Sequence, residues 1–162
     1  MILKVGDKLP NSELFHLDKD NNLQKINILS ICENGKILIL GMPGAFTKTC
    51  SAIHLPGFVK NYELIQKKGI TKIICIAVND PNVMKAWGES QNVGNKILMM
   101  GDPYCDFTKA IGAEVDKSSK GLGIRSNRYT MYVENFEVKA IEEEKETAIC
   151  NLSSAENFLT KL

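Results

Sequence analysis

The residues best suited to chemistry lie in one short string, Pro43-Gly44-Ala45-Phe46-Thr47-Lys48-Thr49-Cys50. A thiolate is a nucleophile where a thiol is not; free cysteine titrates at roughly 8.5, and a helix N-terminus lowers that value. The string leads from an apolar segment into a helical pattern that starts near Thr49. Cys50 is therefore expected in a first helical turn, where unpaired N–H groups and the positive end of the dipole favour an anion. Thr47, three residues earlier, carries a hydroxyl that can donate one hydrogen bond and accept another, to the sulfur or to an oxygen bound beside it. Pro43 has no N–H and can cover a thiolate from water. The same string also reads as a capped helix with an inert buried cysteine, since free cysteine often behaves as a small hydrophobe. His54 follows Cys50 by four residues and shares its helix face. It is either the base of a Cys–His pair or a residue that packs and hydrogen-bonds locally near Pro56.

Apolar runs and helical patterns alternate around that string. Lys36–Gly41 (KILILG) reads as a buried strand, as do Ile70–Val78 and Lys96–Met100. The helix carrying Cys50 is expected to break at Pro56-Gly57 and resume to Lys68, with Gly69 as its stop. Asp80-Pro81 opens a helix that runs through Trp87 to about Gln91, with Asp at the cap and Pro at the first helical position. A further helix is expected over Tyr104–Val115, then a loop rich in Lys, Ser and Gly. Arg128–Glu134 and Glu137–Glu143 form a hairpin through Asn135-Phe136. Ser154–Leu162 closes the chain as a helix, with Ser153 and Glu156 as a capping box. His16 falls in an N-terminal strand, as a surface or packing residue. The order βαβαβα then ββα demands a mixed sheet, because parallel strands need crossover helices and a hairpin adds antiparallel ones. It predicts an α/β fold, a three-layer thioredoxin-like sandwich with inserted N-terminal elements, in a single domain over 1–162. Functional groups of such sheets sit beyond the carboxyl ends of the strands, where the Cys50 string lies.

Composition narrows the function classes. A chain of 162 residues with 44% apolar residues buries a core without disulfides or metal. The net charge of +1 gives no reason to expect nucleic acid or a membrane as partner. No apolar run approaches the ~20 residues that span a bilayer. The first residues read as neither signal nor transit peptide. A cytoplasmic location is expected, or an organelle matrix if a transit peptide was removed before residue 1. The cysteines are Cys32, Cys50, Cys75, Cys105 and Cys150. Their odd number, wide spacing and lack of CxxC argue against a disulfide framework and a zinc ribbon, so free thiols in a reducing compartment are expected. No metal or haem ligand cluster is visible, and no cofactor is expected. Arginine occurs only at Arg125 and Arg128, within one short segment of a chain that otherwise uses lysine.

PGAFTKTCS resembles the signature of the peroxiredoxins: a Pro, then Thr four residues on, then Cys three further. The likeness continues through HLPGF (His54–Phe58), AVNDPNVMKAWG (Ala77–Gly88), GLGIRSNRYTMYV (Gly121–Val133) and the opening VGDKLP. These strings resemble the type II plant enzymes and the animal peroxiredoxin five group. The resemblance implies a thiol peroxidase in which Cys50 attacks a hydroperoxide. It implies Pro43, Thr47 and Arg128 as active-site partners, with Gly44 at the substrate. A guanidinium suits that role, being always charged and directional. It implies two rival resolving residues: Cys75, at the plant spacing of 25 from Cys50, and Cys150, in a context like the animal one. Read alone, Cys75 is a core residue of a two-faced apolar strand. A third route leaves both unused, with glutathione and glutaredoxin restoring Cys50. Thioredoxin is the alternative reductant, and a homodimer is implied. Cys32 and Cys105 read as structural. Three rivals stand beside this reading: a disulfide reductase, which the lack of CxxC opposes, a Cys50–His54 hydrolase, and a non-enzymatic redox sensor on the same fold.

Overall fold

Three runs of Ile, Leu and Met form the middle of the molecule because both of their faces can be buried. In the computed structural model, which describes residues 1–162, these are β3 (Lys36–Met42), β4 (Lys72–Ala77) and β5 (Leu98–Gly101). They pair in parallel, with Leu40 opposite Cys75 and Cys75 opposite Met99. An N-terminal hairpin, β1 (Glu13–Leu17) and β2 (Leu23–Asn27), adds to the β5 edge. A C-terminal hairpin, β8 (Tyr129–Glu134) and β9 (Glu137–Glu143), adds antiparallel to β3. Its turn has Asn135 and Phe136 at φ 49° and 69°, the paired positive values of a tight hairpin turn. The sheet order is β2-β1-β5-β4-β3-β8-β9. Alternate residues of β3 feed two apolar clusters, Leu38, Leu40 and Met42 on one face, Ile37 and Ile39 on the other. This is the expected three-layer arrangement with a mixed sheet. Each fully buried Ile or Leu contributes roughly 1.5–3 kcal/mol to holding the layers together.

The helices depart from expectation in instructive ways. The helix after β3 opens as a π-helical turn, Cys50–His54, in which the Leu55 N–H reaches back five residues to the Cys50 carbonyl. It continues as α2 (Leu55–Lys60), after α1 (Ile28–Ile31) earlier in the chain. Pro56 does not break it, because Pro lies in the first turn of α2, where a missing N–H is tolerated. The break falls instead at Asn61, before α3 (Tyr62–Lys67). Between β4 and β5, α4 (Pro81–Ser90) is capped as expected: the Asp80 carboxylate accepts from the N–H groups of Asn82 and Val83. The helix expected over Tyr104–Val115 shrinks to α5 (Asp106–Ala110). Gly112, at φ 64°, ends it. The chain then forms β6 (Glu114–Asp116), a short 3-10 turn (Ser118–Lys120) and β7 (Ile124–Ser126), so part of the expected loop is a second small sheet. The last helix, α6 (Ala155–Leu159), is capped by Ser154, one residue later than expected, because the Ser153 hydroxyl is bound to Glu144.

Candidate active site

Cys50 sits where β3 hands over to its helix. The Ser51 N–H bonds the Thr47 carbonyl at 3.0 Å, closing the first turn around Cys50. The Thr47 hydroxyl donates to the Gly44 carbonyl at 2.8 Å, so its lone pairs are what it can offer to a substrate. The loop between is held from two sides: Asn79 Oδ1 accepts from the Ala45 N–H at 2.9 Å, and Arg125 Nη1 approaches Asn79 Oδ1 and the Pro43 carbonyl at 3.4 and 3.5 Å. A Cβ on Gly44 would stand 2.6 Å from Arg125 Nη1, so a side chain there would push the guanidinium aside. Asn79 follows the carboxyl end of β4. Its place in AVNDP was visible in the sequence; its bond to the Cys50 loop was not.

Arg128 arrives from the opposite side, one residue before β8. Gly41 faces Tyr129 across the β3–β8 ladder, and a Cβ there would lie 1.9 Å from the ring. That close fit lets β8 approach and sets the start of the strand beside Cys50. Arg128 is wholly buried, and each arm of its guanidinium is engaged. Nη2 donates to Cys50 Sγ at 3.3 Å and to the Thr147 carbonyl at 2.8 Å, and Nε donates to the same carbonyl at 3.2 Å. Nη1 faces His54 Nδ1 at 3.1 Å. A permanent cation therefore lies against the sulfur.

His54 was legible as a neighbour of Cys50, but its task was not. Its Nε2 lies 3.0 Å from the Ser153 carbonyl and 3.2 Å from Thr130 Oγ1. Since Arg128 has only hydrogens to give, His54 Nδ1 is the acceptor and Nε2 carries the proton toward Ser153. Burial first, and the Arg128 charge second, push His54 down to about 3. It is a neutral acceptor that holds Arg128 in place. Both ring nitrogens are occupied, and neither is free to take a proton from a thiol.

The other cysteines are free thiols in different settings. Cys75 lies inside the central strand, and burial pushes its thiol well above the usual range. Burial also raises Cys150, half-buried in the segment after β9. That segment is tied down: buried Glu144 accepts from the N–H groups of Asn151 and Ser153 at 2.6 and 2.9 Å, and Thr49 Oγ1 donates to the Ala148 carbonyl at 3.1 Å. Cys32 is buried and pushed up to about 12. Cys105 is buried at the start of α5.

A cavity of about 280 Å³ opens above this cluster, bordered by Pro43, Thr47, Arg128 and Thr147. Cys50 has no exposed surface and does not line it; Arg128, which does, bonds the Cys50 sulfur. A protein-family model described as Redoxin matches residues 4–159. Over 160 residues the chain is 39% identical to Peroxiredoxin-2D of Arabidopsis thaliana, covering 99% of this chain and 98% of the plant protein. Reduced Prx3 of Vibrio vulnificus, solved in complex with hydrogen peroxide, superposes with a TM-score of 0.91 at 38% identity over 98% of each chain. The 1-Cys peroxiredoxin antioxidant protein of Plasmodium falciparum superposes with a TM-score of 0.88 at 31% identity over 96% of each chain.

Proposed function

The chain belongs to the peroxiredoxin family and is a thiol-dependent peroxidase, and from that premise we propose that Cys50 is the attacking thiolate, with Arg128, Thr47, Pro43 and Gly44 as its active-site partners. The observation that carries this reading is the 3.3 Å contact between Cys50 Sγ and Nη2 of Arg128, a residue that lines the cavity. The thiolate attacks one peroxide oxygen. An S–O bond forms, the O–O bond breaks, and the departing oxygen takes a proton to leave as water or alcohol. Cys50 is left as sulfenic acid. Arg128 stabilises the sulfur and the charge that develops on oxygen. The Thr47 hydroxyl, its hydrogen spent on Gly44, accepts from the peroxide O–H. Pro43 excludes water from one side. Hydrogen peroxide and alkyl hydroperoxides are the substrates.

Cys50 is restored by an external thiol, glutathione with glutaredoxin ahead of thioredoxin. Two observations support this route over an internal disulfide. Cys75 is locked between β3 and β5. Cys150, which an untethered loop would let swing, is held by Glu144 and its neighbours. The cavity bordered by Thr47, Arg128, Thr147 and Ala148 is the approach for that thiol. The protein acts as a homodimer, a reading supported by the exposed Phe46 and Ile53, each within four residues of Cys50. The test oxidises the protein with one equivalent of hydrogen peroxide, without thiol, and maps the products by mass spectrometry. Sulfenic acid on Cys50 that becomes a mixed disulfide on adding glutathione is expected. A dominant Cys50–Cys75 or Cys50–Cys150 bond overturns the reductant assignment, and an unoxidised Cys50 overturns the catalytic one.

A further inference from the structure

The cavity bordered by Pro43, Thr47 and Arg128 has a one-signed border. Lys48, Lys117, Lys120 and Arg128 line it, and no carboxylate does. In a chain with 20 basic and 19 acidic residues such a border is not a reflection of composition. Lys25, Lys36, Lys139 and Lys161 each pair with a glutamate. Lys48, Lys117 and Lys120 form no ion pair and no hydrogen bond through their ammonium groups. Two of them are built in together. Lys117 caps the 3-10 turn between β6 and β7 and Lys120 ends it, and residues three apart in such a turn lie on one side. The turn is braced by Lys117 N–H to the Gly123 carbonyl at 2.8 Å and Lys120 N–H to the Lys117 carbonyl at 2.9 Å. Arg125 Nε clamps the following Leu122 carbonyl at 2.7 Å. The arginine that organises the Pro43 loop thus also fixes the lysine-bearing turn over the cavity.

Hydrogen peroxide and simple alkyl hydroperoxides are neutral and draw nothing from three free ammonium groups. Arg128 already faces the reacting atoms. The lysines suit the second substrate of the cycle, provided that it is negatively charged. We infer that Lys117 and Lys120, with Lys48 opposite, form a recognition site for a small carboxylate-bearing thiol that restores Cys50. This rests on the thiol-peroxidase reading above. The step balances: the thiol sulfur attacks Cys50 sulfenic acid, an S–S bond forms, and the hydroxyl leaves with the thiol proton as water. A second thiol then takes the bound one as a free disulfide and returns Cys50 to the thiolate. The lysines raise the local concentration of the anion and orient its carboxylates, and as exposed charges they are screened by salt within about 8–10 Å near physiological ionic strength.

The test uses the whole protein and the double variant Lys117→Glu/Lys120→Glu. Cys50 is oxidised with one equivalent of hydrogen peroxide, and loss of sulfenic acid is followed after adding glutathione, which is anionic, 2-mercaptoethanol, which is neutral, or cysteamine, which is cationic. Reversing two charges is expected to slow glutathione roughly tenfold at low salt, to leave 2-mercaptoethanol within about twofold, and to speed cysteamine. The glutathione effect should shrink as salt rises. Equal changes for all three thiols, or none, overturn the proposal. Failure of wild-type Cys50 to oxidise at all is the separate result that removes the peroxidase assignment itself.

Discussion

Cys50 and Cys75 have the same exposure, none, and belong to the same apolar cluster. Their chemistry is set apart by what faces each sulfur. Cys75 stands in mid-strand between Leu40 and Met99. Burial, reinforced by any charge on Cys50, keeps it a thiol, and Arg128 offsets this only in part. Cys50 sits in a first helical turn and touches a guanidinium that lines a cavity. Exposure alone therefore does not separate the two cysteines. The useful question is whether a charge partner and a path for a small molecule are both present.

The contrast breaks most completely with Cys50→Ser, which should abolish peroxide turnover while the fold persists, because an alcohol is almost un-ionised at neutral pH. A coupled peroxidase assay and a circular dichroism spectrum check the two halves. Arg128→Ala should slow oxidation by roughly two to three orders of magnitude by removing the cation from the sulfur. The buried Trp87, whose Nε1 donates to Ser51 beside Cys50, is a fluorescence probe for that stopped-flow measurement. Thr47→Val keeps the shape and loses the hydroxyl. Its oxidation rate should fall by roughly tenfold to a hundredfold, with little change in the reductant KM.

His54 sharpens the comparison through pH. It is held at about 3 in the folded protein, against roughly 6.5 when unfolded. As pH falls, the unfolded chain takes the proton first. The stability tied to neutral His54 is complete above about 6.5 and drains away toward 3, at up to about 1.4 kcal/mol per pH unit. Urea unfolding at pH 7.5 and 5.0 should show wild type losing about 2 kcal/mol more than His54→Gln, which cannot titrate. Equal losses would mean that His54 is not the acid-sensitive group. The smallest effect belongs to Cys75→Ala: the oxidation rate of Cys50 should stay within about twofold, at a stability cost of about 1 kcal/mol for the small cavity. A large rate loss would show that the two sulfurs cooperate.

Local signals in the sequence were sufficient for elements that carry their own cause. KILILG and the Asp80-Pro81 cap specify β3 and the start of α4, because apolar runs and caps act within a few residues. The same holds for the position of Cys50 in a first helical turn. The Cys50 helix resisted reading where a π turn, five residues wide, let Pro56 sit inside it. Ser153 reads as a cap until Glu144, nine residues away, claims its hydroxyl. The end of the 104–115 helix at Gly112 was a local signal overtaken by the apolar pattern around it. What only the tertiary structure decided are the encounters between distant segments: Arg128 with Cys50 and His54, Asn79 with Ala45, and Lys117 and Lys120 with the cavity mouth. Those encounters depend on strand register and on close approaches such as Gly41 against Tyr129. Register is set by pairing across the sheet, so side chains 78 residues apart share one hydrogen bond only once β8 has docked on β3.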